Sequence, residues 1–312
     1  MLLQIRSKER RRTVATQKRL AGIKPAKGLE FKGKFPARTK FVYLEPKRDG
    51  LRCIVYKGKC YTATGVRIVN APLIEKALKR IPGTAKNFVF DGEIFYKSCD
   101  VTKGIVKTQT PGHKLGHKLQ LFAFDLISKK EWDAKECKTP LKRRKVNLAI
   151  ALTKLGVRCK DKAVRNAIQP CECAVSEPNE KALKKLFKQF VAQGFEGLMM
   201  KDPHSHYSFR KNRDWQKLKP YSESDLKIIN VETGTGKNKN RLGKLTLAGV
   251  IDGVKVKTKC GGGFLDKQRD ELWAMHKKGK LIGKIVEIEH EGLTKKNAVR
   301  FPQFRRIHPE KN

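Results

Sequence analysis

Lys47 lies in Glu-Pro-Lys-Arg-Asp-Gly-Leu-Arg, residues 45–52, ahead of an Asp49-Gly50 turn and Arg52. A lysine so placed can act as a covalent nucleophile. Its amine, ordinarily protonated below a pKa of about 10.4, attacks only if nearby cations or desolvation release the proton. Arg52 is one local source of positive charge, and a bound metal would add another. Downstream, Asp91 and Glu93 alternate around Gly92 onto one face of the apolar run Phe88 to Tyr96. Carboxylates in that setting need a cation, a lysine or sugar hydroxyls as partners; a pair of hairpin-turn residues is the plainer reading. Glu196 opens and Lys201 closes Glu-Gly-Leu-Met-Met-Lys. Lys217 and Lys219 share one strand face in Trp-Gln-Lys-Leu-Lys, where two ammonium groups call for an anion such as a phosphate between them. Phe124 can stack on a base, or pack in the core as most phenylalanines do.

These residues need strands to hold them. Phe41-Val-Tyr-Leu reads as a strand running into Lys47, and Leu51–Tyr56, Lys57-Gly58-Lys59 and Cys60–Ala63 as a hairpin. Leu119 to Ile127 is another buried strand, broken only by Asp125. The apolar period predicts helices over 72–81, 139–155 and 179–193, the last closed by Gly194. From Ser222 on, short strands (226–231, 242–248, 254–258, 282–291, 298–307) alternate with glycine turns, and one helix, 266–278, interrupts them. Five strands with a helix suit an OB barrel. Gly234-Thr-Gly-Lys237 lacks the spacing and following helix of a phosphate loop, so it reads as a basic surface loop.

The chain has 312 residues, enough for two domains, and 39% hydrophobic residues provide a core. Its 71 Lys+Arg against 30 Asp+Glu give a formal charge of +41. Such a chain is drawn to polyanions, nucleic acid above all; the alternative is a solvated, charge-rich surface. No long apolar run or dominant basic amphipathic helix points to a membrane. None of the eight cysteines forms a C-x-x-C pair, which argues against a zinc ribbon. Cys171 and Cys173 read as spare reduced thiols, and no secretory segment is evident, so a cytoplasmic location (of an infected host, in the case of a virus) is expected. Residues 1–40 form a basic arm around Arg10-Arg11-Arg12. The arm reads as a mobile tail, as a holder of DNA phosphates or as an organellar import signal.

Five blocks stand in one order: K-x-D-G-x-R at 47–52, D-G-E at 91–93, F-A-F-D-L at 122–126, E-G-L-M-M-K at 196–201 and W-Q-K-L-K at 215–219. Together they resemble the covalent nucleotidyltransferases, most closely the ATP-dependent DNA ligases of small phage and viral type. Cys260-Gly-Gly-Gly-Phe-Leu-Asp, with Arg269 and Leu272-Trp273, and Arg300 to Ile307 resemble the OB-domain signature of those ligases.

The resemblance implies an α+β protein. A nucleotidyltransferase domain of antiparallel, ATP-grasp-like sheets with helices would span 41–221, and an OB-fold β-barrel 222–312. It implies a monomer that seals nicks in duplex DNA, with ATP and Mg²⁺ or Mn²⁺ as cofactors. Lys47 would attack the α-phosphate of ATP and carry AMP, with Asp49 in the same catalytic block. Glu45 would help select adenine, and Arg52 would contact the ribose or the nick 5′-phosphate. Glu93 would bind ribose hydroxyls and, with Asp91 and Glu196, lie at the metal. Phe124 would stack on adenine. Lys201 would bind the nucleotide, and Lys217 and Lys219 would hold its α-phosphate.

The sequence departs from the family pattern in two places. Tyr61-Thr-Ala-Thr-Gly, upstream of Arg67, lacks a Ser-Arg pair, and His308 stands ahead of Glu310-Lys311 where many relatives have arginine. The pyrophosphate-expelling step then falls to Arg305, Arg306 or His308, or the OB domain contributes less to it here. Within the superfamily, an RNA ligase or a GTP-dependent capping enzyme is the alternative; outside it, a non-catalytic basic packaging protein.

Overall fold

The computed structural model describes residues 20, 22–36, 39–294 and 296–308, so Arg10-Arg11-Arg12 and Glu310-Lys311 lie outside it. It divides into two units, residues 1–218 and 219–312. That break falls three residues before the one expected at 221.

Two five-stranded sheets make up the first unit. One runs β1 (Lys27–Glu30), β10 (Lys211–Leu218), β9 (Gly197–Lys201), β2 (Val42–Lys47), β8 (Ala174–Ser176). The other runs β4 (Lys59–Thr62), β3 (Leu51–Tyr56), β5 (Phe88–Phe95), β6 (Gln120–Ser128), β7 (Ile168–Pro170). The expectation of antiparallel sheets holds for most pairs, but β1–β10 and β6–β7 are parallel. The expected arm is also shorter than 1–40, because β1 is built into the sheet along Lys211–Lys217.

Alternation along β3 explains how the second sheet serves two masters. Cys53 and Val55 face a core shared with Ile74, Ala77 and Leu78 of helix α1 (Pro72–Lys79). Ile54 faces the other way, into a cluster with Val89, Ile127, Tyr207 and Trp215 that joins the two sheets. Among the described residues of the unit the other helices are α2 (Pro82–Asn87), α3 (Cys99–Lys107), α4 (Lys129–Ala134), α5 (Leu141–Arg158), α6 (Lys162–Arg165) and α7 (Glu180–Ala192). Helix α5 buries Leu141, Leu148, Ala151 and Leu155 at helical spacing, and its Arg144 reaches into the same stripe. Helix α7 starts at Asn179, whose side chain accepts the Ala182 N–H.

Arg144 is 1% exposed and clasps the fully buried Asp125 of β6 with Nε–Oδ1 2.7 Å and Nη2–Oδ2 2.9 Å. Its Nη1 also donates to the Thr139 and Ser205 carbonyls, at 2.5 and 3.2 Å. Asp125, which interrupts an apolar strand in sequence, is thus the anchor of α5.

The second unit is a sheet ordered β13 (Val254–Cys260), β12 (Leu242–Ile251), β11 (Ser222–Thr233), β14 (Ile285–His290), β15 (Gln303–Ile307), with helix α8 (Asp266–Lys277) after β13. The bridge between Gly262 and Gln303 brings the two edges together, as an OB barrel requires. Gly263 has φ of +86°, and a Cβ there would sit 2.4 Å from the Phe304 carbonyl oxygen, so the glycine run is a requirement of closure. Arg269 donates to the carbonyls of Leu242 (2.7 Å), Gly243 (3.0 Å) and Gly261 (2.8 Å), tying the helix to the loop. Gly234-Thr-Gly-Lys237 closes on itself through a Gly234–Lys239 bridge and starts no α-helix, in keeping with a surface loop.

Asp125→Ala would leave the Arg144 guanidinium buried and unpaired, at a cost of about 3–5 kcal/mol. Urea unfolding of Asp125→Ala and of the double variant Asp125→Leu/Arg144→Met measures this. The single variant is expected to be the less stable of the two, and equal or reversed midpoints contradict the anchor role.

Candidate active site

Lys47 is the last residue of β2, and the Asp49-Gly50 turn carries the chain from one sheet into the other. Gly50 fits because a Cβ would lie 2.6 Å from the Ile94 carbonyl and 2.8 Å from Glu93 Cγ, so any side chain would push β5 and its carboxylate away. Between the sheets lies a cavity of about 170 Å³. The first sheet contributes Glu45, Lys47, Met199, Lys201 and Trp215 to it, the second Arg52, Glu93, Phe122 and Phe124. Most of the residues singled out in sequence therefore meet in one place, although the cavity's lining is drawn from 170 positions of chain, Glu45 to Trp215.

The cations in the cavity are held by carboxylates and rings. The Lys47 ammonium donates to Glu196, which follows β2 through a 2.8 Å hydrogen bond from its N–H to the Lys47 carbonyl. Arg52 grips Asp91 with Nε and Nη2 and donates from Nη2 to the Ala26 carbonyl at 3.1 Å. Burial alone would make that guanidinium easier to deprotonate; the Asp91 charge outweighs it and holds the proton more tightly. Lys201, 1% exposed, sits 4.2 Å from the centre of the Phe124 ring and 4.0 Å from that of Trp215. Its Nζ is 2.6 Å from Glu45 Oε2. Burial lowers the Lys201 pKa, against the pull of Glu45. Glu93 is the carboxylate most exposed to this balance. Burial pushes it up to about 7, with Arg52 and Lys47 holding it down and Glu196 and Asp91 pressing it higher.

Several expectations change. Asp91 is not open to a metal, because it is fully buried and its oxygens are taken by Arg52 and the Tyr207 hydroxyl. It shares a strand face with Glu93 but works as the seat of Arg52. Lys217 and Lys219 do not form one pair. Lys217 shares the strand parity of Trp215, is absent from the cavity lining and lies 3.4 Å from Glu30. Lys219 follows the end of β10, opens the second unit and meets both oxygens of Glu291 there, at 2.9 and 3.0 Å. Asp49 stays in the turn outside the cavity lining. Phe124 lines the cavity, but its ring already carries Lys201 and, at 4.6 Å, Arg52. Arg67 donates to the carbonyls of Cys60 and Ile68 and to Glu75 of α1. In the second unit Arg305 pairs with Glu289, Arg306 with Glu287 at 2.7 Å, and His308 with Asp225 at 3.8 Å.

Other side chains here had no signal in the sequence. Arg48 lies 3.7 Å above the Phe122 ring and 4.8 Å from Phe195. Tyr207 bridges Asp91 to the Ala26 N–H. Cys171, read in the sequence as a spare thiol, lines the cavity with that thiol pushed up to about 12 by burial. Lys145 of α5 pairs with Glu45 from outside the cavity. Only the apolar stripe of α5 announced itself; a lysine beside Lys142 and Arg143 did not stand out.

Glu93, which lines the cavity, and Glu196, which already meets Lys47, are the two carboxylates that would hold a divalent cation there. Glu93 and Glu196 flank Lys47, and a magnesium-type ion is commonly held by one or two carboxylates together with substrate phosphates. No group of three or more His, Cys, Asp or Glu able to hold a metal by itself occurs among the described residues.

Comparison with known proteins agrees with this geometry. Residues 32–219 match the family profile "ATP dependent DNA ligase domain", and residues 233–308 match "DNA ligase OB-like domain". A DNA ligase of Methanothrix thermoacetophila is 31% identical over 130 residues, which are 41% of this chain and 21% of that protein. One from Archaeoglobus fulgidus is 25% identical over 303 residues, 85% of this chain and 49% of that protein. The chain thus spans between about a fifth and a half of these curated relatives. The solved protein Pmar-Lig_PreS3 is 27% identical with a TM-score of 0.77, over 91% of this chain and 67% of its own. The bacteriophage T7 ATP-dependent DNA ligase solved with ATP, at 18% identity, shares the fold with a TM-score of 0.55 over 92% of this chain and 99% of its own. No described helix is long and apolar enough to cross a membrane. With its profile match covering well over half its length, the chain belongs to the family of ATP-dependent DNA ligase domains.

Proposed function

We propose that this protein seals nicks in duplex DNA, using ATP, through AMP carried on Lys47. The observation that carries the reading is the cavity itself: a lysine at a strand end, with Glu45, Glu93 and Phe124 on its walls and cations on both sheets. In the first step the Lys47 amine, having given up a proton, attacks the α-phosphate; the P–N bond forms and pyrophosphate leaves. Glu196 is the group in contact with the amine and is placed to take that proton. The AMP then passes to the 5′-phosphate of the nick, and the 3′-hydroxyl displaces it. Lys201 and Arg52 bring positive charge to the cavity wall, where it would offset the negative charge that grows on the transferring phosphoryl group. Glu93 accepts from ribose hydroxyls, and Glu93 and Glu196 would hold Mg²⁺, which when bound neutralises phosphate charge.

Nicked DNA and nicked RNA, each with ATP or GTP, test the acceptor and the nucleotide. Sealing of nicked DNA with ATP is expected. Sealing confined to RNA, or driven by GTP alone, would replace this reading with the alternative in the same superfamily. With a charge of +41, binding through roughly 6–10 phosphates should weaken about 10³–10⁵-fold between 50 and 200 mM salt. An affinity for nicked DNA that is flat over that range contradicts a phosphate-based grip.

Glu93 gives a pH signature. Its folded pKa of about 7 lies above its ordinary value of 4.5, so between those limits the folded protein binds more protons than the unfolded chain. Stability contributed by the neutral form is full below about 4.5 and is lost as pH rises through about 7, by on the order of 1–3 kcal/mol. Glu93→Gln removes that slope. The ligand-free proteins, melted between pH 5 and 8, are expected to converge at low pH and diverge in favour of Glu93→Gln at high pH. Parallel curves would show that burial does not perturb this carboxyl. Adenylation by the wild type, which needs the charged form as acceptor, should in turn decline as pH drops below about 7.

A further inference from the structure

Glu45 has both carboxylate oxygens engaged before any nucleotide arrives. Oε1 pairs with Lys145 and Oε2 with Lys201 at 2.6 Å, and the side chain is 2% exposed. The two lysines differ in kind. Lys201 lines the cavity and is fixed by the Phe124 and Trp215 rings. Lys145 does not line it and reaches Glu45 from the first turns of α5. Its neighbour Arg144 pins that part of the helix to β6 through Asp125. Consecutive residues of one helix thus tie down an acid in each sheet, Asp125 in the second and Glu45 in the first. Burial would make the Lys145 ammonium easier to deprotonate, but the Glu45 charge outweighs this and leaves it harder to deprotonate than usual.

We propose that Lys145 is the positioning residue for base selection: it holds Glu45 in one orientation against the cavity wall, so that the base is read by a fixed acceptor. The proposal rests on the nucleotide-binding reading above. A carboxylate only accepts hydrogen bonds, and each of its oxygens carries two lone pairs, so an oxygen ion-paired with a lysine can still accept one from a base. Those lone pairs suit the exocyclic amino group of adenine and oppose the carbonyl oxygen that guanine presents at the same edge. Without Lys145 the carboxylate keeps one tether, at Lys201, and can swing about it, so the acceptor loses its fixed direction. Lys145 does not touch the cavity, so its loss should fall on base recognition and spare the chemical step.

Adduct formation with labelled ATP and with labelled GTP, in wild type, Lys145→Met, Lys145→Arg, Glu45→Gln and Glu45→Gln/Lys145→Met, tests this. Lys145→Met is expected to raise the ATP KM about tenfold or more, with the saturated adenylation rate within about threefold, and to narrow the ATP-over-GTP preference by a similar factor. Lys145→Arg should restore most of both. In the Glu45→Gln background Lys145→Met should change little further, because the effect passes through Glu45. An unchanged ATP KM and preference in Lys145→Met overturns the proposal while leaving the nucleotide reading intact. A fall in rate alone, equal in both backgrounds and not rescued by arginine, marks a merely structural lysine and overturns it too. Absence of any adduct in the wild type would remove the nucleotide reading itself, and this proposal with it.

Discussion

Gathering Lys47, Arg48, Arg52 and Lys201 around one small cavity, in a chain already carrying +41, is the constraint on which the first unit depends. Two unit charges about 6 Å apart repel by roughly 3 kcal/mol at an effective dielectric near 20. Each cation therefore comes with its own counterweight. Lys47 has Glu196, Arg52 has Asp91, Lys201 has Glu45 and two aromatic faces, and Arg48 has the Phe122 and Phe195 rings. The partners sit on strands different from the cations they serve, or beyond a strand's end. The carboxylate pairs act within a sheet, Lys47–Glu196 and Lys201–Glu45 in the first and Arg52–Asp91 in the second, while the ring contacts Lys201–Phe124 and Arg52–Trp215 reach from one sheet to the other.

This arrangement explains which carboxylates are available for chemistry. Asp91 and Asp125 are fully buried and committed to guanidinium groups. Glu93 and Glu196 keep a face toward Lys47, and burial raises Glu93 to about 7 against the pull of Arg52 and Lys47. Ring faces do similar work where a carboxylate would crowd the nucleotide. Cation–aromatic contacts of this sort contribute roughly 0.5–2 kcal/mol each, more when dry, and they leave the carboxylate inventory free.

Much of this could be seen in the chain itself. Lys47 at a strand end, the turn at Asp49-Gly50 and the paired parity of Asp91 and Glu93 are local, and local patterns survive in a sequence. So does the strand-and-glycine rhythm of the second unit, whose Cys260-Gly-Gly-Gly-Phe run proves to be the turn that closes the barrel. What failed to show is long-range pairing. Asp91 seemed a metal carboxylate because Arg52, 39 positions away, and Tyr207, 116 away, gave no sign of approaching it. Lys145 was hidden among the other lysines of a solvated helix face, and β1 looked like part of a basic tail because its pairing partner lies near the far end of the unit. Lys217 and Lys219 share a parity, yet β10 ends between them, and a strand rule does not carry across that end.

The central claim is that Lys47 carries the adenylyl group, and mass spectrometry of the whole protein after incubation with ATP and Mg²⁺ tests it most directly. One adenylyl group is expected, in acid-labile linkage, on the proteolytic fragment that contains Lys47. The same group found on Lys201, or no gain in mass at all, would contradict the account.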